Sequence, residues 1–191
     1  LVALRDRGNL IVGPASGELA SGLIGEGRLV EPQEIANAII DFFKKDLPLN
    51  GTSFLVTASP TREPIDPVRF ISNHSTGKMG VAIASALFEA GADVTLVAGP
   101  LQIEVPKGIK HIAVSTAAEM FEASKSIFTS QTGAVLTAAV ADYTPGTVAT
   151  DKVKKKEAQW TLPLVKTVDI AEELGKLKSP KQILVGFALE T

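Results

Sequence analysis

Three stretches combine residue types that could handle a phosphorylated substrate. The first, Ala58–Gly80 (ASPTREPIDPVRFISNHSTGKMG), brings Arg62, Asp66, Arg69, Asn73 and Lys78 together and ends on Ser75-Thr76-Gly77-Lys78. If a helix starts at Gly77, its first amides and its dipole suit a phosphate group. The same Ser-Thr pair would also serve as a plain helix cap. The pattern is neither a Walker A loop nor GxGxxG, so it carries no fingerprint of its own. Its length favours function, because structureless loops this long in compact domains are functional or disordered, and this one is punctuated by proline. The second stretch, Ala138–Tyr143 (AAVADY), holds Asp142. An Asp just past a parallel strand can accept from a ribose hydroxyl or approach a metal-bound phosphate, and it can equally form a turn. The third, Lys152–Lys156 (KVKKK), has four lysines in five residues. They could neutralise a triphosphate as mobile charges or form a solvated run.

The elements that must hold these residues follow from hydrophobic pattern. Ser53–Thr57 reads as a short apolar strand, Gly77–Ala90 as a helix closed by Gly91, and Asp93–Ala98 and His111–Val114 as further strands. Thr116-Ala-Ala-Glu119 is a capping box opening a helix to about Ser130, and Ala134–Val140 is a fourth strand. Val168–Lys178 predicts a helix whose N-terminus, Val168–Ala171, could face a base or phosphate. The run from Ile183 is a last strand, in which Phe187 either packs in the core or offers a stacking face. Strands with continuously apolar interiors, alternating with helices, predict an α/β fold. It should be a Rossmann-like, doubly wound, mostly parallel sheet with ligands beyond the strand C-termini. His74 reads as a loop hydrogen-bonder and His111 as structural.

Upstream, Gly8–Pro32 holds six glycines, which predicts loops and close backbone approach with no regular element. Residues 33–45 place Ile35, Ala38, Ile39 and Phe42 on one helical face. Asp46–Gly51 reads as a linker, so we divide the chain into 1–46 and 47–191. A start at Leu1, and a stop directly after the strand-like Ile183–Phe187 run, lead us to expect a piece of a longer polypeptide.

Composition limits the alternatives. Of 191 residues 45% are hydrophobic and 21% charged, with a net charge of −2. No global charge argues for nucleic acid or membrane binding, and no run of 18 apolar residues exists. With no cysteine and two histidines, disulfides and thiolate metal sites are excluded. The expected setting is cytoplasmic.

Together these motifs resemble one family. TREPIDPVRFISNHSTGKMG, TAAVADY, the lysines from Lys152 and VGFALET occur in the order found in phosphopantothenoylcysteine synthetase, the C-terminal domain of a bacterial bifunctional coenzyme A biosynthesis protein. The segment GPASGELASGLIGEGRLVEP is similar to the end of the fused, FMN-dependent decarboxylase domain. The resemblance implies CTP- and Mg²⁺-dependent activation of 4′-phosphopantothenate to an acyl-cytidylate, then attack by the amine of cysteine. It assigns Asn73 to turnover of the acyl-cytidylate. It assigns Asp142 and Lys152 to CTP contacts, Lys152 also to catalysis, Val168, Asp169, Ile170 and Ala171 to the backbone around the nucleotide, Phe187 to a place beside the base and Ala138 to a functionally sensitive small residue; with it, the helix start at Ser75 and Gly77 is expected to meet the CTP phosphates. It also implies a homodimer in which the Asp66–Asn73 region reaches the neighbouring subunit. Physically, Lys152 would supply a cation to the phosphates and Asn73 a donor to the reacting carboxylate.

The chain departs from the family in places. Ser21 stands where the decarboxylase has its proton-donating cysteine, and a serine hydroxyl is a much weaker acid. The flavin-binding body and the lysines that follow VGFALET in the family are not among these residues. Ser59 replaces a usual glycine and Thr76 a usual serine. Two other readings stay open: a dinucleotide-dependent oxidoreductase, against which the missing GxGxxG speaks, and a nucleotide-binding regulatory or partner subunit without catalysis.

Overall fold

The computed structural model describes residues 1–18, 22–44, 46–154 and 159–188. The chain divides into two compact units, Leu1–Leu47 and Pro48–Thr191. Ser21, Lys155 and Lys156 lie outside the described residues.

The first unit contains helix α1 (Val2–Asp6), strands β1 (Ala15–Glu18) and β2 (Ile24–Arg28), and helix α2 (Pro32–Lys44). The glycine-rich stretch is therefore not all loop, as its composition suggested. β1 and β2 pair antiparallel, with Gly17 opposite Gly25. Gly13 and Gly22 adopt positive φ outside the strands, and Gly27, at φ +144° within β2, is the extra residue where the register shifts between the Ala15–Arg28 and Ser16–Glu26 pairs. α2 starts with Pro32 at its first position, where a missing N–H costs nothing.

The second unit is built on β3 (Ser53–Ala58), β4 (Arg62–Pro64), β5 (Phe70–Ser72), α3 (Lys78–Glu89), β6 (Asp93–Ala98) and β7 (Lys110–Ala113). It continues with α4 (Ala117–Phe128), β8 (Gly133–Leu136), β9 (Tyr143–Pro145), β10 (Leu164–Lys166), α5 (Ile170–Leu177) and β11 (Ile183–Gly186). Five strands form one sheet in the order β11-β8-β3-β6-β7, and every neighbouring pair is parallel. This is the doubly wound α/β arrangement expected from the sequence. Alternation along β3 explains the two covered faces. Phe54, Val56 and Ala58 pack with Val81 and Ala84 of α3, whereas Leu55 packs with Met120 and Phe128 of α4 and with Ile170 and Leu174 of α5.

The chain runs from β3 outward to β6 and β7, then returns to place β8 on β3's other side. That reversal opens a crevice beyond the C-termini of β3 and β8, the expected ligand position in such sheets. Two close approaches fix α3 there. A Cβ on Gly80 would lie 2.4 Å from Ala58 Cβ and 2.5 Å from Thr137 Oγ1, and Gly77 has φ +75°. The helix can therefore touch the strand ends only through glycine. At α4 the capping box forms as its sequence predicts: Glu119 N donates to Thr116 Oγ1 at 3.2 Å and Thr116 N to Glu119 Oε2 at 3.3 Å. The buried Glu63 adds a tertiary cap by accepting from Ala117 N at 2.8 Å.

Two expectations change. Pro60–Thr76 is not an open loop, because β4 and β5 form an antiparallel ribbon within it, closed by Ile65 N donating to Arg69 O at 2.9 Å. The strand expected over Ala134–Val140 ends at Leu136. Its partner β3 ends at Ala58 and is followed by Ser59, a non-glycine residue at φ +72°, and by Pro60, which has no N–H. Past that point the ladder is irregular: Ala139 N donates to Ser59 O at 3.1 Å, and Pro60 and Ala139 form an isolated bridge. A glycine would take this conformation without strain, and Ser59 offsets part of the strain by donating its hydroxyl to Pro100 O.

Candidate nucleotide site

Two cavities open at the crevice. The smaller, about 200 Å³, is lined by Thr57, Leu136, Ala138, Val140, Asp142, Lys166–Ala171, Gly186 and Phe187. The larger and more open one, about 710 Å³, is lined by Pro60, Arg62, Phe70, the Ser72–Gly80 stretch, Gln102 and Thr137. Thr137 lines one cavity while Leu136 and Ala138 line the other, because successive residues of an extended chain face opposite ways.

The smaller cavity gathers residues that are remote in sequence. Thr167 ties the start of α5 to the segment after β8, donating from N to Asp142 O at 2.9 Å and from Oγ1 to Ala141 O at 2.6 Å. Asp169 caps α5 by accepting from Glu172 N at 2.9 Å. The cap leaves the amides of Ile170 and Ala171 ahead of the first intrahelical bonds, at the cavity wall. Phe187 is 56% exposed, so it walls the cavity and does not sit in the core.

At the larger cavity, Ser75 Oγ accepts from Gly77 N at 3.4 Å, and Ser75 N donates to Asn73 O at 3.0 Å. The amides of Lys78 and Met79 precede the first bond of α3, from Val81 N to Gly77 O. These amides, with Lys78, His74 and Arg62, give this cavity a donor-rich, cationic rim. The Arg62 guanidinium lies 4.7 Å from the Phe70 ring centroid, which holds it beside the opening.

Asn73 joins the two cavities, and not in the manner its type suggested. Its Nδ2 donates to both Ala139 O at 3.1 Å and Val140 O at 3.0 Å. Two carbonyl partners require the amide nitrogen on that side, and both its hydrogens are then committed. What Asn73 presents outward is its carbonyl oxygen, an acceptor, rather than the donor expected for a reacting carboxylate. Its donors lace β5 to the segment after β8. Thr61 reinforces the lacing, with Thr61 N donating to Ala139 O at 3.3 Å and Thr61 Oγ1 accepting from Ala141 N at 3.0 Å.

The structure thus brings Ala138, Asp142, Val168, Asp169, Ile170, Ala171 and Phe187 into one cavity and Asn73, Ser75 and Gly77 into the other. Lys152 lines neither. It stands exposed in the excursion between β9 and β10, next to Val153, whose main chain is held by Asp66 and Arg69. Lys166, Thr167, Thr137 and Gln102 were not singled out from the sequence. Thr137 had a signal, a polar residue near the C-terminal end of an otherwise apolar strand, whereas Gln102 had none. Among the described residues no three His, Asp or Glu side chains gather into a metal site, and no helix is long and apolar enough to cross a membrane.

The comparisons bear on the family and the fold. The family model described as "DNA/pantothenate metabolism flavoprotein C-terminal domain" matches residues 49–191. A relative named "Cysteine/Cysteine sulfinic acid decarboxylase", from an unknown prokaryotic organism, is 51% identical over 193 residues, covering 98% of this chain and 54% of its own length. The coenzyme A biosynthesis bifunctional protein CoaBC of Bacillus subtilis (strain 168) is 48% identical over 187 residues, covering 96% of this chain and 46% of that protein. The crystal structure of the C-terminal domain of a CoaBC protein superposes with a TM-score of 0.67 at 42% identity, over 76% of this chain and 68% of that one. The chain spans about half the length of the curated relatives it matches. Its second unit, and with it the chain, belongs to the DNA/pantothenate metabolism flavoprotein C-terminal domain family.

Proposed function

We propose that the second unit carries a CTP-dependent ligase joining 4′-phosphopantothenate to cysteine within coenzyme A biosynthesis. One observation carries the reading: Ala138, Val140 and Asp142, with Val168–Ala171 and Phe187, far apart in sequence, wall a single cavity at the sheet's switch point. At about 200 Å³ it is smaller than the roughly 300–1,000 Å³ typical of pockets for whole ligands. It suits the nucleoside end of CTP, with Phe187 beside the base and the amides of Ile170 and Ala171 donating to it, while the phosphates extend towards the cationic rim of the larger cavity. Mg²⁺ enters as part of the substrate, the metal-bound triphosphate, and Asp142 is the carboxylate placed to approach it.

In this reading the phosphopantothenate carboxylate attacks the α-phosphorus of CTP. An acyl–phosphate bond forms, the α–β bridge breaks and pyrophosphate leaves. The amine of cysteine then attacks the acyl carbon, the amide forms, its proton passes to solvent and CMP leaves. Asn73 keeps the Ala139–Val140 main chain in place between the two cavities throughout. Lys152 and the neighbouring lysines would approach the phosphates from the β9–β10 excursion. The assembly is a homodimer in which the Asp66–Asn73 region meets the neighbouring subunit, to be checked by sedimentation at micromolar concentration.

Binding tests the reading at its base. A nucleotide held only by the folded chain at 100 times its Kd stabilises by about 2.7 kcal/mol, a shift of several degrees in Tm. CTP should produce it and nicotinamide dinucleotides should not. A shift with the dinucleotides alone would instead support an oxidoreductase. A second reading, that the longer protein also decarboxylates a cysteinyl carboxylate, is favoured by the name of the 51%-identical relative. The FMN that such chemistry uses would belong to the first unit's parent domain. Release of CO₂ by the full-length polypeptide would test it.

A further inference from the structure

The loop from β6 to β7 opens with Gly99-Pro100-Leu101-Gln102, and Gln102 lines the larger cavity. This stretch is fastened to the crevice at three points. Gly99 N donates to Ala58 O at 3.1 Å, and the Ser59 hydroxyl donates to Pro100 O. Leu101 covers the start of α3 so closely that a Cβ on Gly77 would lie 2.5 Å from its Cδ2. Ser59 grips Pro100 from a strained backbone, at φ +72°, and such strain persists only where the surroundings hold it. The loop is therefore anchored up to Leu101, the residue before Gln102, and the Gln102 side chain is exposed.

Most other neutral side chains of this cavity are already committed. Ser72 Oγ donates to Thr61 O at 2.7 Å and Thr137 Oγ1 to Thr57 O at 2.6 Å. Asn73 gives both amide hydrogens to Ala139 and Val140, and Ser75 Oγ accepts from Gly77 N. The Gln102 amide makes no hydrogen bond to any described residue, so both its N–H donors are open to a ligand. A donor carried by an anchored loop costs less to order on binding than one on a free loop.

Its place along the sheet decides which part of a ligand it meets. The strand order is β11-β8-β3-β6-β7. Phe187 follows β11 and walls the smaller cavity, whereas Thr137, Pro60 and Gln102 follow β8, β3 and β6 and line the larger one. A nucleotide with its base beside Phe187 and its phosphates running towards Lys78 thus points its last phosphate at the end of β6. The cationic rim attracts phosphate chains of any length. A directional donor at the far end separates a triphosphate from a diphosphate, because only the longer chain reaches it.

Resting on the ligase reading above, we propose that Gln102 is a specificity-determining residue whose side-chain amide donates to the terminal phosphate of the bound triphosphate.

The test is calorimetric titration of the full-length polypeptide, and of its Gln102→Ala and Gln102→Glu variants, with CTP, CDP and 4′-phosphopantothenate at fixed Mg²⁺. Gln102 is exposed and unbonded, so neither change endangers folding. Gln102→Ala should raise the Kd for CTP about tenfold and leave the Kd for CDP unchanged. Gln102→Glu should weaken CTP binding further, because its carboxylate repels the terminal phosphate. Equal losses for CTP and CDP, or an unchanged Kd for CTP in Gln102→Ala, would overturn the proposal. A loss confined to 4′-phosphopantothenate would overturn it too, and assign Gln102 to the acid substrate. An unsubstituted polypeptide that does not bind CTP would refute the ligase reading itself and the proposal with it. Intact CTP binding with an unaltered preference for CTP over CDP in Gln102→Ala would refute the proposal alone.

Discussion

Replacing Gly80 by alanine sets two known effects against each other. In most helices the change is favourable by about 0.5–1 kcal/mol, because alanine has the higher propensity. Here the new methyl would lie 2.4 Å from Ala58 Cβ and 2.5 Å from Thr137 Oγ1. Carbon atoms pack best at about 3.5–4.0 Å, so α3 must withdraw from the sheet by about 1 Å. Overpacking of this kind costs about 1–3 kcal/mol, and both neighbours sit on strand ends that cannot swing aside. The net expectation is destabilisation by about 1–2 kcal/mol. With a urea m-value of about 2 kcal/mol/M, the midpoint falls by about 0.5–1 M. Because Gly77–Gly80 line the larger cavity, CTP affinity should fall as well. Gly175→Ala is the internal control. It also lies in a helix, but its added methyl meets only Leu184 Cδ2 at 4.0 Å, so the propensity term should prevail and the midpoint should rise. A Gly80→Ala chain as stable as the unsubstituted one, or more so, would refute the claim that α3 touches the strand ends through glycine.

Three further outcomes follow from particular groups. Ser124 Oγ is buried on α4 without a hydrogen-bond partner, so Ser124→Ala should raise stability by about 1 kcal/mol in urea titration. Asp169→Ala removes the α5 cap and should cost about 1 kcal/mol, with weaker nucleotide binding because the cavity-wall amides lose their frame. The Arg69 guanidinium, together with the amides of Val68, Val153 and Arg69, holds the Asp66 carboxyl well below the usual carboxylate range against the effect of its burial. A lowered folded-state pKa contributes stability above the ordinary value of about 4, and loses it as pH falls through the folded value. The Trp160 ring, 5.3 Å from the Arg69 guanidinium, should therefore become more open to acrylamide quenching only on acidification well below about pH 4, and Asp66→Asn should flatten that response.

Continuously apolar runs in Ser53–Thr57, Asp93–Ala98 and from Ala134, separated by helices, were enough to read the parallel sheet. Thr116-x-x-Glu119 located the start of α4 to the residue, since a capping box is local chemistry that packing seldom overrides. The β4–β5 and β9–β10 pairings were not legible. Each strand has three residues and no periodicity, and each is held by cross-links such as Asp66 to Val153 that no local pattern records. The end of β8 was misread because the cause lies in its partner: Ser59 at positive φ and Pro60 disrupt the ladder there. At the site, the motifs named Asp142, Val168–Ala171 and Phe187, and the fold brings them together. They gave no hint that both hydrogens of Asn73 are committed to Ala139 and Val140, because donor commitment depends on a contact 66 residues away. Nor did they separate Lys152 from the cavity wall.

The most direct test of the central claim is pyrophosphate release by the full-length polypeptide, with cysteine withheld, using CTP or ATP with and without 4′-phosphopantothenate. Formation of an acyl-cytidylate predicts a burst stoichiometric with sites that requires both CTP and phosphopantothenate, followed by turnover when cysteine is added. A folded protein that releases no pyrophosphate with either triphosphate would contradict the ligase reading and leave the cavity as a nucleotide-binding site without that chemistry.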